Sequence, residues 1–266
     1  MLHFAGKTDV GSRGGENEDS IGWDEERKLW FVADGMGGHV NGRMASETAS
    51  KSLLESAPDK TTEEQIVGAH EAIIAAADKD QSLSGMGSTI VVAKLADNLA
   101  EISWVGDSRA YLWRKRGLSQ ISRDHSFHEL LRAQNILTEE QIRADPRGNL
   151  VTQTLGLGDP MPSITDVSLR YGDWILLCSD GLNGELEDSQ IAAILASSEN
   201  VQTAVDELVD AAITNGGRDN TSVIIIEYKD AKGLGHLWRI MDARWWPFVV
   251  GPVLAILFAL ILWAVK

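Results

Sequence analysis

Residues 29–39 read LWFVADGMGGH, and residues 175–183 read ILLCSDGLN. In each segment an apolar run with the composition of a β-strand ends in an aspartate that is followed by a glycine. An Asp-Gly pair alone is most often a hairpin turn, so either segment by itself indicates little more than a change of chain direction. Its repetition, with Asp34 and Asp180 at the two strand ends, predicts two buried strands that each end in a carboxylate.

Two further acidic strand ends accompany this pair. Asp107 follows the strand-like run 100–105, and Asp219 precedes the strand-like run 222–228. Carboxylates on rigid elements can converge on a hard cation, and a glycine such as Gly35 lets a backbone carbonyl approach it closely. Ligands that are all oxygen favour magnesium or manganese over zinc. The sequence therefore predicts a divalent cation site.

The arrangement of apolar patterns predicts an α+β fold. Helices, then several consecutive strands, then helices again indicate layers rather than strict βαβ alternation. Residues 1–228 contain no repeat or linker and are predicted to form one domain. The predicted strands are 29–33, 89–95, 100–105, 110–113, 174–179 and 222–228, and the predicted helices are 42–56, 62–78, 126–135, 188–196 and 202–214.

Composition excludes several functional classes. The formal net charge of -15 argues against nucleic-acid partners, which require a basic surface. The single cysteine, Cys178, cannot form an internal disulfide, which favours a reducing compartment, and residues 1–11 lack the apolar region of a secretory signal. A cysteine phosphatase needs an arginine six residues after its nucleophile, where this chain has Gly184. No Gly-Lys-Ser/Thr phosphate loop is present either.

The C-terminal part of the sequence has a different character. Residues 248–265 are all apolar, Gly or Pro, and a helix of this length would span roughly 27 Å, close to the thickness of a hydrocarbon core. We therefore expect a juxtamembrane segment at 229–244 and a transmembrane helix at 245–266, with a buried terminal helix as the alternative. Basic residues before the segment place the domain on the cytoplasmic side of the cell inner membrane, because the positive-inside rule applies. They are Lys229, Lys232, Arg239 and Arg244.

The ordered motifs of the domain resemble those of the metal-dependent serine/threonine protein phosphatases of the PP2C (PPM) family, in their compact bacterial form. The resemblance implies a four-layer αββα sandwich of two antiparallel sheets flanked by helices. It also implies a metal cluster between the sheets at one end, beside a mobile flap at 126–149. The motifs are Thr8-Asp9-Val10-Gly11, Asn17-Glu18-Asp19-Ser20, the Asp34 turn, Gly85-Met86-Gly87-Ser88-Thr89, Gly106-Asp107-Ser108-Arg109, Asp124-His125-Ser126, Leu155-Gly156, Ser179-Asp180-Gly181-Leu182 and Asp219-Asn220-Thr221.

The same resemblance implies the ligands of the metal ions. Asp34 would bridge two cations, the Gly35 carbonyl would bind one, and Asp180 and Asp219 would complete the pair. Asp107 is similar to the ligand of a weaker third cation in bacterial members of the family.

The implied cofactors are two Mn2+ or Mg2+ ions, with a third as an option. Glu18 and Asp19 would hold metal-bound waters. Two close cations lower the pKa of a shared water, so that the bridging hydroxide can attack phosphorus without a phosphoenzyme.

Two positions depart from the family pattern. The phosphate-binding arginine of the family lies four residues before the Glu of Asn-Glu-Asp, where this chain has Gly14, and Arg13 stands one residue earlier. We expect the glycines at 14–15 to let Arg13 reach the substrate phosphate. Some members place a histidine directly after the Asp-Gly pair, where this chain has Met36. His39 is the candidate general acid, with a hydrogen-bonding role for His39 and a metal-bound water as the acid left open.

These features predict an enzyme that hydrolyses phosphoserine and phosphothreonine on proteins and antagonises a bacterial Ser/Thr kinase near the membrane. A phosphatase specialised for one small regulatory domain is a narrower version of this prediction. The alternative from another class is a catalytically inactive, membrane-tethered module that binds phosphoproteins. The retained Asp34, Asp180 and Asp219 favour the enzyme.

Overall fold

The computed structural model describes residues 2–37, 39–134, 137–143, 145, 147 and 150–229, without the side chains of His39, Glu139 and Arg143. Leu2–Tyr228 form one compact unit. Its strands form two sheets in which every pairing is antiparallel, as the α+β prediction requires. In spatial order, the first sheet consists of β1 (His3–Asp9), β11 (Thr221–Glu227), β10 (Trp174–Cys178), β7 (Arg109–Arg114) and β8 (Gly117–Gln120). The second consists of β2 (Asp19–Asp24), β3 (Leu29–Met36), β5 (Ile90–Ala96), β6 (Leu99–Val105) and β9 (Ser163–Ser168), with β4 (Gly87–Ser88) beside β3.

Helices cover the outer faces of both sheets. The helices are α1 (His39–Glu55), α2 (Thr62–Lys79), α3 (Phe127–Gln134), α4 (Glu139–Arg143), α5 (Asp180–Asn183), α6 (Asp188–Ser197) and α7 (Val201–Thr214). The α1 and α2 helices pack on the second sheet, and α6 and α7 pack on the first. A capping box starts α2, because the Thr61 side chain accepts from the Glu64 amide while the Glu64 carboxylate accepts from the Thr61 amide. The order of layers is therefore helix, sheet, sheet, helix.

Three buried apolar layers hold the sandwich together, one between the sheets and one under each helix pair. Successive residues of a central strand point into different layers. In β11, Ile224 and Ile226 face the other sheet, whereas Val223 and Ile225 face the helices. Because both faces are covered, the central strands are continuous apolar runs rather than alternating patterns.

The structure agrees with the predicted strands and helices in the centre of each layer. The strands that the sequence did not predict include β1, β8, β2 and β9, which are the edge strands of the two sheets. The predicted flap region contains α3 and α4.

The predicted transmembrane helix at 245–266 lies outside the described residues, and so does the predicted juxtamembrane segment beyond Lys229. Among the residues with described structure, no helix is long and apolar enough to cross a membrane.

We expect Ile225→Ala to lower the free energy of unfolding by about 2–5 kcal/mol, because it leaves a cavity in a closed layer. Ile225 is fully buried in a central strand. Ile164→Ala is the control, since Ile164 is 43% exposed on edge strand β9 and its truncation should change the free energy by less than about 0.5 kcal/mol. Urea titration followed by circular dichroism measures both. An equal decrease in the free energy of unfolding of the two variants would contradict the placement of Ile225 in a closed apolar layer.

Candidate active site

The predicted aspartates lie at one end of the sandwich, here named the acidic end, where strands of both sheets begin or finish. Asp34 is on β3, directly opposite Asp19 on β2. Asp180 follows β10 and Asp219 precedes β11, and these two strands are neighbours in the other sheet. Asp107 follows β6. Both sheets therefore contribute carboxylates to the same end.

Asp34 lies at the centre of this negative charge. Burial raises its pKa well above the ordinary 3.8, and the charges of Asp19, Asp180, Asp107 and Asp219 raise it further. The pKa of Asp180 is also raised, first by burial and then by the charge of Asp219. Carboxylates crowded in this way favour the uptake of positive charge, either as protons or as cations.

A serine hydroxyl connects the two sheets beside Asp34. Ser179 Oγ, just after β10, donates to Asp19 Oδ2 at 2.7 Å and accepts from the Ser222 amide at 3.0 Å. Asp19 is buried, and burial raises its pKa to about 8 even though hydrogen bonds from Ser222 and Ser179 lower it. The Asp19 carboxylate is thus held in one orientation by a residue of the opposite sheet.

Two glycines allow the backbone to approach Glu18 closely. The Gly35 amide donates to the Glu18 carbonyl at 3.1 Å. A Cβ on Gly35 would collide with the Gly42 carbonyl, and a Cβ on Gly42 would collide with the Glu18 carboxylate and lie 2.9 Å from the Gly35 carbonyl oxygen. The Glu18 carboxylate and the Gly35 carbonyl oxygen therefore both approach Gly42, which only a residue without a side chain permits.

Hydrogen bonds hold the loop that carries Asp107. His125 Nδ1 accepts from the Gly106 amide at 3.2 Å, and the His125 amide donates to the Gly106 carbonyl at 2.8 Å. Arg109, at the start of β7, donates to both carboxylate oxygens of Asp124. Burial raises the pKa of Asp107 to about 7. Asp107 is therefore a partly buried carboxylate on a loop that hydrogen bonds hold in place.

Sequence reasoning missed Asn220 as an individual site residue. Its Oδ1 accepts from the Glu18 amide at 2.7 Å, and its Nδ2 donates to the Val10 carbonyl at 2.9 Å. Asn220 therefore joins three segments of chain at the acidic end. Its sequence signal is weak, because an asparagine between an aspartate and a strand is usually a turn residue. Ser179 was missed for a similar reason, since nothing in sequence indicates its bond to Asp19.

The structure leaves the roles of Arg13 and His39 as predictions. Arg13 is exposed on the turn after β1, beside glycines 14–15, which both have positive φ angles and open surroundings. Its charge helps to lower the pKa of Glu185, after the larger effect of a hydrogen bond from Arg218. His39 begins α1, and its side chain lies outside the described residues.

The donors at the acidic end fit a hard divalent cation. Within the described residues, no group of three or more His, Cys, Asp or Glu side chains forms a complete cation site. The acidic end nevertheless combines the buried Asp19 and the partly buried Asp34 and Asp180 with an adjacent backbone carbonyl, and carboxylate and carbonyl oxygens are the ligands that magnesium and manganese prefer. The ligand roles of Asp34, Gly35, Asp107, Asp180 and Asp219 remain predictions on this chemistry.

We expect the cation-free protein to lose stability as the pH rises from about 4 to about 8. An acid whose pKa is raised by folding binds its proton more tightly in the folded state, so deprotonation favours unfolding in the window between the two pKa values. For Asp19 these values are 3.8 and about 8. Urea titrations in EDTA at pH 5 and pH 8 measure the difference, and a higher midpoint at pH 8 would contradict it.

Asp34→Asn should raise the melting temperature of the cation-free protein at pH 8. It replaces a crowded carboxyl group, whose ionisation is unfavourable, by a neutral amide, and each kcal/mol of relieved repulsion corresponds to about 2–4 °C for a domain of this size. Differential scanning calorimetry in EDTA measures the shift. Asp166→Asn, on exposed edge strand β9, is the matched control and should leave the melting temperature unchanged.

Comparison with known proteins identifies relatives over most of the chain. The family profile described as Protein phosphatase 2C matches residues 9–214. Serine/threonine phosphatase stp of Listeria welshimeri is 35% identical over 243 residues, which cover 85% of this chain and 96% of that protein.

Solved structures agree with this match. The crystal structure of the Mycobacterium tuberculosis serine/threonine phosphatase PstP/Ppp has a TM-score of 0.79 and 31% identity, covering 86% of this chain and 99% of that one. The catalytic domain of PstP in complex with 2 manganese ions has a TM-score of 0.76 over the same shares of the two chains. Sequence and fold lead to one assignment: the chain belongs to the protein phosphatase 2C family.

Proposed function

We propose that this protein is a metal-dependent phosphatase that hydrolyses phosphoserine and phosphothreonine residues of proteins. The observation that carries the proposal is the acidic end, where aspartates of both sheets crowd around Asp34. The relatives named serine/threonine phosphatases support the substrate class. The PstP complex with 2 manganese ions supports manganese or magnesium as the cofactor.

The carboxylates of Asp34, Asp180 and Asp219 and the Gly35 carbonyl would hold two cations, and Asp107 would contribute to a third. When bound, such cations act as Lewis acids that lower the pKa of a bound water and neutralise phosphoryl oxygens. The raised pKa of Asp34 fits this role, because a carboxylate crowded by like charges gains most from a cation.

Neighbouring residues would hold these ligands in fixed positions and orientations. Ser179 orients the Asp19 carboxylate, and Asn220 holds the backbone of Glu18. Glu18 and Asp19 would in turn hold the waters around the cations, and such outer partners typically contribute 10–100-fold to affinity or activity. The Ser179–Asp19 bond joins the two sheets. The relative position of the sheets in turn sets the distance between the proposed ligands that each sheet contributes.

Arg13 would bind the substrate phosphate. A guanidinium matches two phosphate oxygens at once, and the neighbouring glycines would let the turn carry it over the acidic end. His39 is the candidate to protonate the leaving alkoxide. Cys178 has no part in the chemistry, because it is fully buried in β10.

Membrane attachment forms part of the proposal. The apolar composition of residues 248–265, with tryptophans at 245, 246 and 263, supports a transmembrane helix at 245–266. The domain would then lie on the cytoplasmic side of the cell inner membrane. Attachment there would bring it close to a membrane-bound Ser/Thr kinase that it opposes.

The full-length protein in detergent micelles should hydrolyse a phosphothreonine peptide when manganese is present and not in EDTA. Asp34→Asn should lower kcat by about 100-fold or more, the scale on which one preorganised charge contributes to a rate. Asp166→Asn is the control and should keep full activity. The rate of phosphate release measures the activity of the parent protein and of the two variants. No turnover by a folded, manganese-binding protein would instead favour the phosphoprotein-binding module.

Arg13→Ala should raise KM for the phosphopeptide by about 10-fold or more, since it removes a charge-assisted contact to phosphate. The same substitution at Arg116, an exposed arginine at the other end of the sandwich, should leave KM unchanged. Steady-state kinetics over a range of peptide concentrations measures both. An unchanged KM in Arg13→Ala would exclude the proposed phosphate contact.

A further inference from the structure

The end of the sandwich opposite the acidic end carries a group of exposed basic and aromatic residues. Lys115 and Arg116 form the turn between β7 and β8, and Arg170 and Tyr171 lie in the connection from β9 to β10. All four are exposed, and Tyr171 is 58% accessible. We name these four residues the basic corner.

A partly buried ion pair holds the two segments of the basic corner together. Arg114, next to Lys115, donates to both carboxylate oxygens of Asp173, and its NH2 group also donates to the Ser168 carbonyl at 2.7 Å. Asp173 is only 3% exposed. The pair therefore fixes the β7–β8 turn against the β9–β10 connection.

The positive charge of the basic corner is not neutralised locally. Lys115, Arg116 and Arg170 form no ion pair with any residue that the structure describes. Asp97 is an acidic residue on the neighbouring β5–β6 turn, which adjoins the basic corner because the Asn98 carbonyl of that turn accepts from the Leu169 amide. In a chain of net charge -15, three exposed cations and an exposed tyrosine on two adjoining segments are a local reversal of charge.

Backbone strain is concentrated in the turns of the same end. Four non-glycine residues among those described have positive φ angles, namely Lys28, Asp97, Lys115 and Arg116. Each lies in a turn between strands at this end. The two central positions of the β7–β8 turn favour asparagine and glycine, yet they are occupied by lysine and arginine. Residues held in a strained backbone conformation are often functional, so the strain at Lys115 and Arg116 points to a function of their side chains.

The described domain also ends at the basic corner. The Tyr228 carbonyl accepts from the Gly172 amide at 3.0 Å, and the Tyr228 amide donates to the Asp173 carbonyl at 2.9 Å. The sequence continues from this point through residues 229–247 to the apolar residues 248–265.

We propose that the basic corner docks on the anionic surface of a lipid bilayer, so that the acidic end faces away from the membrane. Basic side chains are attracted to anionic headgroups, and a tyrosine ring is suited to the boundary between water and hydrocarbon. The acidic remainder of the domain is repelled by the same surface, so the corner determines which side approaches it. This inference rests on the proposed membrane attachment and adds an orientation to it.

The test uses the full-length protein with a fluorescent label at one of two engineered cysteines. Asn98→Cys places the label beside the basic corner, and Ser84→Cys places it near the acidic end, since both positions are exposed. Labelling is selective because Cys178, the one natural cysteine, is buried. Each protein is reconstituted in vesicles of phosphatidylcholine alone or of phosphatidylcholine mixed with phosphatidylglycerol, with a quencher attached to the headgroups.

We expect the label at position 98 to be quenched at least about twofold more on phosphatidylglycerol vesicles than on neutral ones, and the label at position 84 to show no difference. Lys115→Glu with Arg116→Glu should abolish the difference. Lys51→Glu with Lys79→Glu should retain it, because this control changes net charge equally on other exposed surfaces. High salt should weaken the response, since it screens exposed charges.

Equal quenching on the two kinds of vesicle, or a response that survives Lys115→Glu with Arg116→Glu, would overturn the proposal. Flotation with neutral vesicles tests the membrane attachment separately. If the protein floats with neutral vesicles but shows no lipid-dependent quenching, attachment stands and docking fails. If it floats only with phosphatidylglycerol vesicles and only with an intact basic corner, docking stands and the transmembrane helix fails.

Discussion

Negative charge is crowded at the acidic end, and the packing of the whole domain must offset the repulsion. Asp19 and Asp34 face each other on adjacent strands, and burial raises the pKa of each. Such a cluster opposes folding unless cations or protons neutralise it. Three closed apolar layers and two helix pairs supply the packing that offsets it. Stability and cation binding are therefore coupled in this domain, because the ligands that oppose folding are the ones that a cation would stabilise.

The two sheets must keep a fixed relative position for the acidic end to work as one site. Asp34 belongs to one sheet, whereas Asp180 and Asp219 adjoin strands of the other. The Ser179–Asp19 bond crosses from sheet to sheet, and Asn220 extends the connection to the backbone of Glu18. The apolar layer between the sheets also fixes their relative position, since close-packed side chains resist sliding. Packing at the centre of the sandwich thus sets the geometry at its end.

The difference between central and edge strands explains which parts of the fold were predictable. A strand such as β11 is covered on both faces and reads as a continuous apolar run, so sequence alone indicates it. Edge strands such as β8 and β9 need fewer apolar residues, because their faces are less covered by the other layers. In β9 exposed residues alternate with partly buried ones, and β2 contains two aspartates. The polar and apolar residues of these edge strands are arranged as in loops. Only the structure shows that each of them pairs with a neighbouring strand.

The acidic residues at the ends of the central strands could be predicted from the sequence alone. Asp34, Asp180 and Asp219 were identifiable because apolar runs and ordered motifs surround them, and those signals are local. Only the tertiary structure decided which residues meet. Ser179 binds Asp19 across 160 positions and Asn220 binds Glu18 across 202, and no local pattern records such contacts. The physical reason is that contacts between distant segments follow from how the sheets pack, whereas strand ends follow from the order of apolar and polar residues along the chain.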